Sequence, residues 1–179
     1  MTSARKLAIL HTEASTGWGG QELRILTEME GFARRGHRVH LLTPPNAGIF
    51  DAARERGLPV EALPIEWKRW PGFAALRAWL GRDGRAFDVV NTHSSTDSWL
   101  AALACRIVRD PPVIVRTRHV SVPVPNDRAT RWLYGEATSR VVTTGEALRD
   151  RLVRDNGLDP ARVDSIPTGI DAARFGAIA

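Results

Sequence analysis

The sequence predicts an α/β domain: a doubly wound, mostly parallel sheet of about seven strands lying between two layers of helices. Three observations carry this. Seven short apolar runs recur along the 179 residues, their starts lie 21 to 32 residues apart, and most of the intervals hold apolar residues at helical spacing. Each interval is room for one crossover helix. Strands that are apolar throughout belong to parallel sheets covered on both faces, because right-handed crossovers place helices on either side.

In chain order, the first strand is the run 7–10, which opens into His11-Thr-Glu-Ala-Ser-Thr-Gly-Trp-Gly-Gly20. A helix follows from about Gln21, with Leu23, Leu26, Met29 and Ala33 expected to face inward. It should stop at Arg34-Arg35-Gly36, where cations suit the negative helix end and glycine suits the left-handed position beyond it. The second and third strands are the runs 39–42 and 60–63. Residues 65–85 hold three of the six tryptophans and five basic residues, and read as a crossover helix that packs Phe73, Leu76 and Leu80 on the sheet and leaves Arg77, Arg82 and Arg85 solvated. The fourth strand, 89–90, runs into Asn91-Thr-His-Ser-Ser-Thr-Asp97, a segment rich in N-cap residues. The helix after it shows Leu100, Leu103, Ala104 and Ile107 at i, i+3, i+4 and i+7. The fifth strand, 113–115, enters Arg116-Thr-Arg-His-Val120. The sixth and seventh, 141–142 and 163–166, lead into Thr143-Thr-Gly-Glu146 and Pro167-Thr-Gly-Ile-Asp171.

Composition bounds the function. The only cysteine, Cys105, lies in an Ala/Leu-rich stretch and reads as a buried thiol, which excludes an internal disulfide, a zinc ribbon and an iron-sulfur site. The net charge of +5 is carried almost wholly by arginine, since Lys6 and Lys68 are the only lysines. Guanidinium suits phosphate and carboxylate, although a GC-rich coding sequence would produce the same bias. The excess is too modest, and recognised modules too absent, to suggest nucleic acid. The amino-terminal residues lack the apolar core of a signal peptide and no run is long enough to span a bilayer, so a cytoplasmic protein is expected.

Ligands of such sheets bind beyond the carboxyl ends of the strands near the point where strand order reverses. Gly17-Trp-Gly-Gly-Gln-Glu22 puts Glu at the third glycine of a dinucleotide fingerprint, the second strand ends without an acid for a ribose, and no Gly-Lys-Ser/Thr completes a P-loop. Gly19 and Gly20 therefore either make a tight turn or keep a helix N-terminus open to an anion. Asn91, His93, Arg118 and His119 cluster at adjacent strand ends, where imidazole can donate to a sugar hydroxyl or phosphate and Arg118 can pair with an anion. No Cys, paired acid or His-x-x-x-His completes a metal set. Ser94, His119 and Asp97 could in principle form a hydrolase triad, but the Gly-x-Ser-x-Gly elbow is missing. His37 and His40 read as structural. Trp67, Lys68, Arg69, Trp70 and Arg77 would suit the headgroup level of an anionic membrane if their helix presents them outward.

The Gly-Gly loop after the first strand, the His after the fourth, Thr117-Arg-His119 after the fifth, Val142-Thr-Thr-Gly-Glu-Ala147 and Ile166-Pro-Thr-Gly-Ile-Asp-x-x-x-Phe175 together resemble the N-terminal half of a family 4 glycosyltransferase of the GT-B fold. The resemblance implies that residues 1–166 form a Rossmann-like, acceptor-side domain, that 167–179 begin an interdomain linker, and that the C-terminal donor-binding domain is missing from this sequence. It further implies retaining, metal-independent transfer from a nucleotide-sugar donor to a glycan or lipid-linked acceptor, of the lipopolysaccharide kind or similar, at the cytoplasmic membrane face. No cofactor other than the nucleotide-sugar co-substrate is expected. By motif position Gly19 and Gly20 would approach the donor, and His119 would support the reacting sugar, with Asn91, His93 and Arg118 around it. The chain alone would then not turn over. The rival readings are a non-catalytic carbohydrate- or anion-binding module and a nucleotide-sugar epimerase of related architecture.

Overall fold

The computed structural model describes residues 5–169. Residues 1–4, and the Ile170 to Phe175 part of the terminal motif, lie outside the described residues. The seven runs form one sheet in which every strand is parallel to its neighbours: β1 Ala8–Thr12, β2 Arg38–Thr43, β3 Val60–Ala62, β4 Val89–Thr92, β5 Val113–Arg118, β6 Arg140–Thr143 and β7 Val163–Ser165. Their order is β3-β2-β1-β4-β5-β6-β7, so the winding reverses between β1 and β4. The main helices are α1 Gly20–Arg34, α2 Gly48–Glu55, α3 Trp70–Asp83, α4 Ser95–Cys105, α5 Arg128–Trp132 and α6 Glu146–Asn156.

Side-chain alternation divides the interior into two cores. Leu10, Leu42, Val90, Ile114, Val141 and Val163 join residues of α3, α4 and α6 in the larger one. Val39 and Leu41 join Ile25, Leu26 and Met29 of α1 and Ile49 and Ala53 of α2 in the smaller. The architecture is thus the expected three-layer α/β/α.

Two helix faces differ from the sequence expectation. Leu23 is 43 % exposed and Ala33 is exposed too, whereas the polar Glu22 and Arg24 are buried. Arg24 explains the rotation of α1: its guanidinium donates to Glu28 Oε1 at 2.6 Å, Thr168 Oγ1 at 3.0 Å and the Ile166 carbonyl at 3.0 Å, tying the helix to the segment after β7. In α4, Leu103 is exposed while Leu100, Ala101, Ala104 and Cys105 are buried, because small residues let this helix approach its neighbours closely, and Ile107 falls beyond the helix end and is exposed too. Burial pushes the Cys105 thiol up to about 12, as an inert core thiol should be. Other signals hold: Ser94 and Asp97 form a reciprocal capping box at α4, Gly36 takes the left-handed φ of 82° after α1, and Leu76 and Leu80 pack inward from α3.

Candidate functional site

The carboxyl ends of β1, β4 and β5 meet at the winding reversal, and their side chains alternate between the two faces of the sheet. His11, His93 and His119 continue the face that α1 covers, while Thr12, Thr92, Arg116 and Arg118 continue the face that α4 covers.

On the α1 face the three imidazoles stand in a row. His11 Nδ1 lies 3.0 Å from His93 Nε2, and His93 Nδ1 lies 2.9 Å from His119 Nε2. The first two rings are stacked with centroids 5.3 Å apart. Burial is the main reason that His11 and His119 are lowered to about 4 and His93 well below its ordinary value, with the cations Arg24 and Arg116 adding to the effect on His93 and His119. All three are therefore neutral at pH 7, each with one N–H. A row of neutral imidazoles has two polarities, and His11 Nε2 decides between them because it is buried without a partner. A buried orphan N–H is the costlier defect, so His11 Nε2 keeps its lone pair and the protons sit on the Nδ1 atoms. His119 Nδ1, which has no partner among the described residues, is then a hydrogen-bond donor.

Asp97 couples the two faces. Its carboxylate accepts from Thr12 Oγ1 at 2.7 Å, His93 N at 2.9 Å, Ser94 N at 2.8 Å and the Ser94 hydroxyl. Burial raises its pKa against the pull of these bonds and of Arg116. No hydrolase triad forms: Ser94 and Asp97 are occupied as a helix cap, and His119 Nε2 faces His93.

The Gly-rich loop begins at Glu13, fully buried at the end of β1. Glu13 accepts from Ser15 N at 2.7 Å and from the Gln21 side chain, so it clamps both ends of the loop. Burial, with Asp97 nearby, pushes its carboxyl up to about 8. α1 starts one residue earlier than expected, at Gly20. Gly19 is extended, and neither it nor Gly20 has a positive φ. A Cβ on Gly20 would meet nothing within 4 Å, and one on Gly19 only Glu22 Oε2 at 3.7 Å. Neither glycine is demanded by the turn or by a neighbour, so what they preserve is open space over the N-terminus of α1.

Arg118 sits on the α4 face, beside Arg116 and Tyr134 rather than beside His119. Asn91 is buried in the sheet, where its Oδ1 accepts from Thr117 Oγ1 at 2.9 Å. His40 stacks on Trp79 and His37 Nδ1 accepts from Leu7 N, as structural residues. Trp67 and Trp70 are 62 % and 74 % exposed, and Lys68, Arg69 and Arg77 are exposed with them. Sequence reasoning missed His11, Glu13, Arg116 and Tyr134. Among the described residues no group of three or more His, Cys, Asp or Glu side chains is arranged to hold a metal ion, and no helix is long and apolar enough to cross a membrane.

The model of Glycosyltransferase Family 4 matches residues 18–174. No curated protein matches the chain by sequence. Among solved structures, HepE of Anabaena in complex with UDP superposes with a TM-score of 0.75 at 18 % identity, over 94 % of this chain and 46 % of that one. A glycosyltransferase of Rickettsia africae gives 0.78 at 15 % identity, over 97 % and 46 %. The lipopolysaccharide outer core galactosyltransferase WaaB gives 0.71 at 13 % identity, over 92 % and 46 %. The chain spans a little under half the length of each.

Proposed function

The chain belongs to glycosyltransferase family 4, and from that membership we propose that it is the acceptor-side half of an enzyme that moves a sugar, with retention and without a metal, from a nucleotide-sugar donor to a glycan or lipid-linked acceptor. The observation that carries the reading is the row of neutral imidazoles ending at His119 on the sheet face that α1 covers, together with the open space at Gly19 and Gly20 where that helix begins. HepE has been solved with UDP and with UDP and glucose, which supports a uridine donor for this chain.

In this reading the donor diphosphate approaches the amides at the start of α1, where Gly19 and Gly20 leave room. His119 Nδ1 donates to a hydroxyl of the transferred sugar. Its neutrality matters, because an oxocarbenium-like centre carries positive charge and an imidazolium beside it would oppose the reaction. His93 and His11 fix the tautomer and orientation of His119, and Asn91 braces the strand from which His93 projects. Trp67, Lys68, Arg69, Trp70 and Arg77 seat this edge on the anionic cytoplasmic face of a membrane. The 179-residue chain alone does not turn over, since the donor half of the cleft is supplied by a second domain.

The test is to recover the native gene product from its own cells, measure its intact mass and assay it with nucleotide sugars. A species of about twice this chain's mass that transfers sugar, and whose kcat falls roughly 100-fold on His119→Ala, bears the reading out. Transfer by the isolated 179 residues, or unchanged kcat in the variant, contradicts it. Turnover of the donor with no acceptor present would favour the epimerase reading.

A further inference from the structure

On the α4 face a cavity of about 530 Å³ lies between the start of α4 and the segment that follows β5. Two arginines form its inner wall. Arg116 is 3 % exposed; its Nε donates to the Tyr134 hydroxyl at 2.9 Å, its Nη1 to the Ser94 carbonyl at 3.0 Å, and its guanidinium lies over the Tyr134 ring at 4.9 Å. Arg118 is 8 % exposed; its Nη1 donates to the same hydroxyl at 3.2 Å, its Nη2 to the Val122 carbonyl, and its Nε is buried with no partner. At the rim, Lys68 Nζ donates to Ser95 Oγ at 3.1 Å, and burial together with the charge of Arg116 lowers its pKa.

Every acceptor on these three cations is a neutral oxygen. Among the described residues none of them has a carboxylate within 4.0 Å. Asp97 feels the charge of Arg116 but is committed to four donors of its own, and Asp127, exposed at the mouth, caps α5 by accepting from Thr130 N. A buried guanidinium cannot shed its proton to escape desolvation, so a buried pair of them without a counter-ion is costly unless a ligand brings the anion. Much of the remaining lining is apolar: Trp99, Leu133, Val122, Pro123 and Val124 contribute to it, and Val120 and Val122 are exposed.

We propose that this cavity binds a phosphate ester carrying an apolar chain, with the phosphate on Arg116, Arg118 and Lys68 and the chain along residues 120–125. Three cations around one wall match a dianionic phosphate better than a single carboxylate, and the guanidinium fork matches its oxygens. Lys68 stands between the exposed Trp67 and Trp70, so the phosphate end of the cavity adjoins the surface proposed to meet a membrane. That this ester is the anionic end of the acceptor rests on the transferase reading; the binding itself does not.

Calorimetric titration of the 179-residue chain tests it with three probes: decyl phosphate below its micellar concentration, inorganic phosphate, and decyl maltoside. Decyl phosphate should bind at least roughly tenfold more tightly than either of the others, a gain that burying about two methylenes would give over phosphate alone. Lys68→Gln, at an exposed position where folding is not at stake, and Arg118→Gln, checked for native circular dichroism, should each weaken it by roughly fivefold or more. Arg109→Gln, exposed at the opposite end of the sheet, should change nothing. Equal binding of decyl maltoside, equal binding of inorganic phosphate, or full affinity in Lys68→Gln would overturn the proposal. Sugar transfer plays no part in this readout, so it can fail while the transferase reading stands, and the reverse.

Discussion

The same three strand ends deliver opposite chemistry to the two faces of the sheet. Toward α1 they present three imidazoles that burial keeps neutral and that bond to one another; toward α4 they present two guanidiniums that are always charged and have no counter-ion among the described residues. The strand period of two produces this separation: Ile114, Arg116 and Arg118 share one side of β5, while Thr117 and His119 take the other. A row of neutral imidazoles and a pair of uncompensated cations need different surroundings, and alternation lets one edge supply both within a few residues.

Among substitutions at neutral pH, the largest effect should come from cutting the link between the faces. Asp97→Ala removes four accepted hydrogen bonds and leaves the buried donors of Thr12 and His93 and the half-buried donors of Ser94 without this partner. Thermal unfolding should show a loss of about 3 kcal/mol; a loss below about 1 kcal/mol would mean that the faces are independent.

At these strand ends, acid should act on the imidazole face rather than on the guanidinium face. Each imidazole binds its proton near 6.5 when unfolded but, for His11 and His119, near 4 when folded. Their contribution to stability is therefore complete above pH 6.5 and is lost as pH falls toward 4. Glu13 runs the other way: its carboxyl titrates near 4.5 unfolded and near 8 folded, so its contribution is complete below 4.5 and is lost as pH rises through 8. Glu13→Gln removes this opposing trend. Between pH 7 and pH 5 the variant should lose about 4 kcal/mol, roughly 2 for each of His11 and His119, and more than the wild type loses. A variant whose stability does not change over that range would contradict the neutral row.

On the other face, Arg118→Met should raise stability by about 1 kcal/mol, because an uncompensated buried cation gives way to an apolar chain of similar length. Urea denaturation measures this, and a destabilised variant would show that Arg118 already has its counter-charge. The smallest effect on folding belongs to the outer surface. Trp70→Ala should shift stability by less than about 0.5 kcal/mol yet reduce flotation with anionic liposomes; unchanged flotation would count against the proposed membrane contact through Trp70.

All seven strands were legible in the sequence because each is a compact apolar run, and the intervals between them allowed only crossover connections. Helix faces were harder. α1 and α4 each offer more than one apolar stripe, and partners remote in sequence choose between them, as Ile166 and Thr168 do by drawing Arg24 inward. His93 and His119 stood out as polar residues just beyond apolar strands. His11 and Arg116 did not, because β1 runs two residues past the apolar run and β5 three, so both lie within strands where only loops were sought. Extending the period-two reading of β5 from Ile114 would have put Arg116 and Arg118 on one face. Tyr134 carried no such signal, since its role depends on a hydroxyl placed between two guanidiniums from another element.

Imidazole nitrogen NMR of the 179-residue chain is the most direct test of the row on which the site depends. The prediction is that at pH 6 His11, His93 and His119 are each neutral with the proton on Nδ1, and that His11 and His119 titrate near 4. A midpoint near the ordinary value for His119 would mean that the row is not formed, and a proton on its Nε2 would mean that the row runs with the reverse polarity; in either case His119 does not present an uncharged Nδ1 donor.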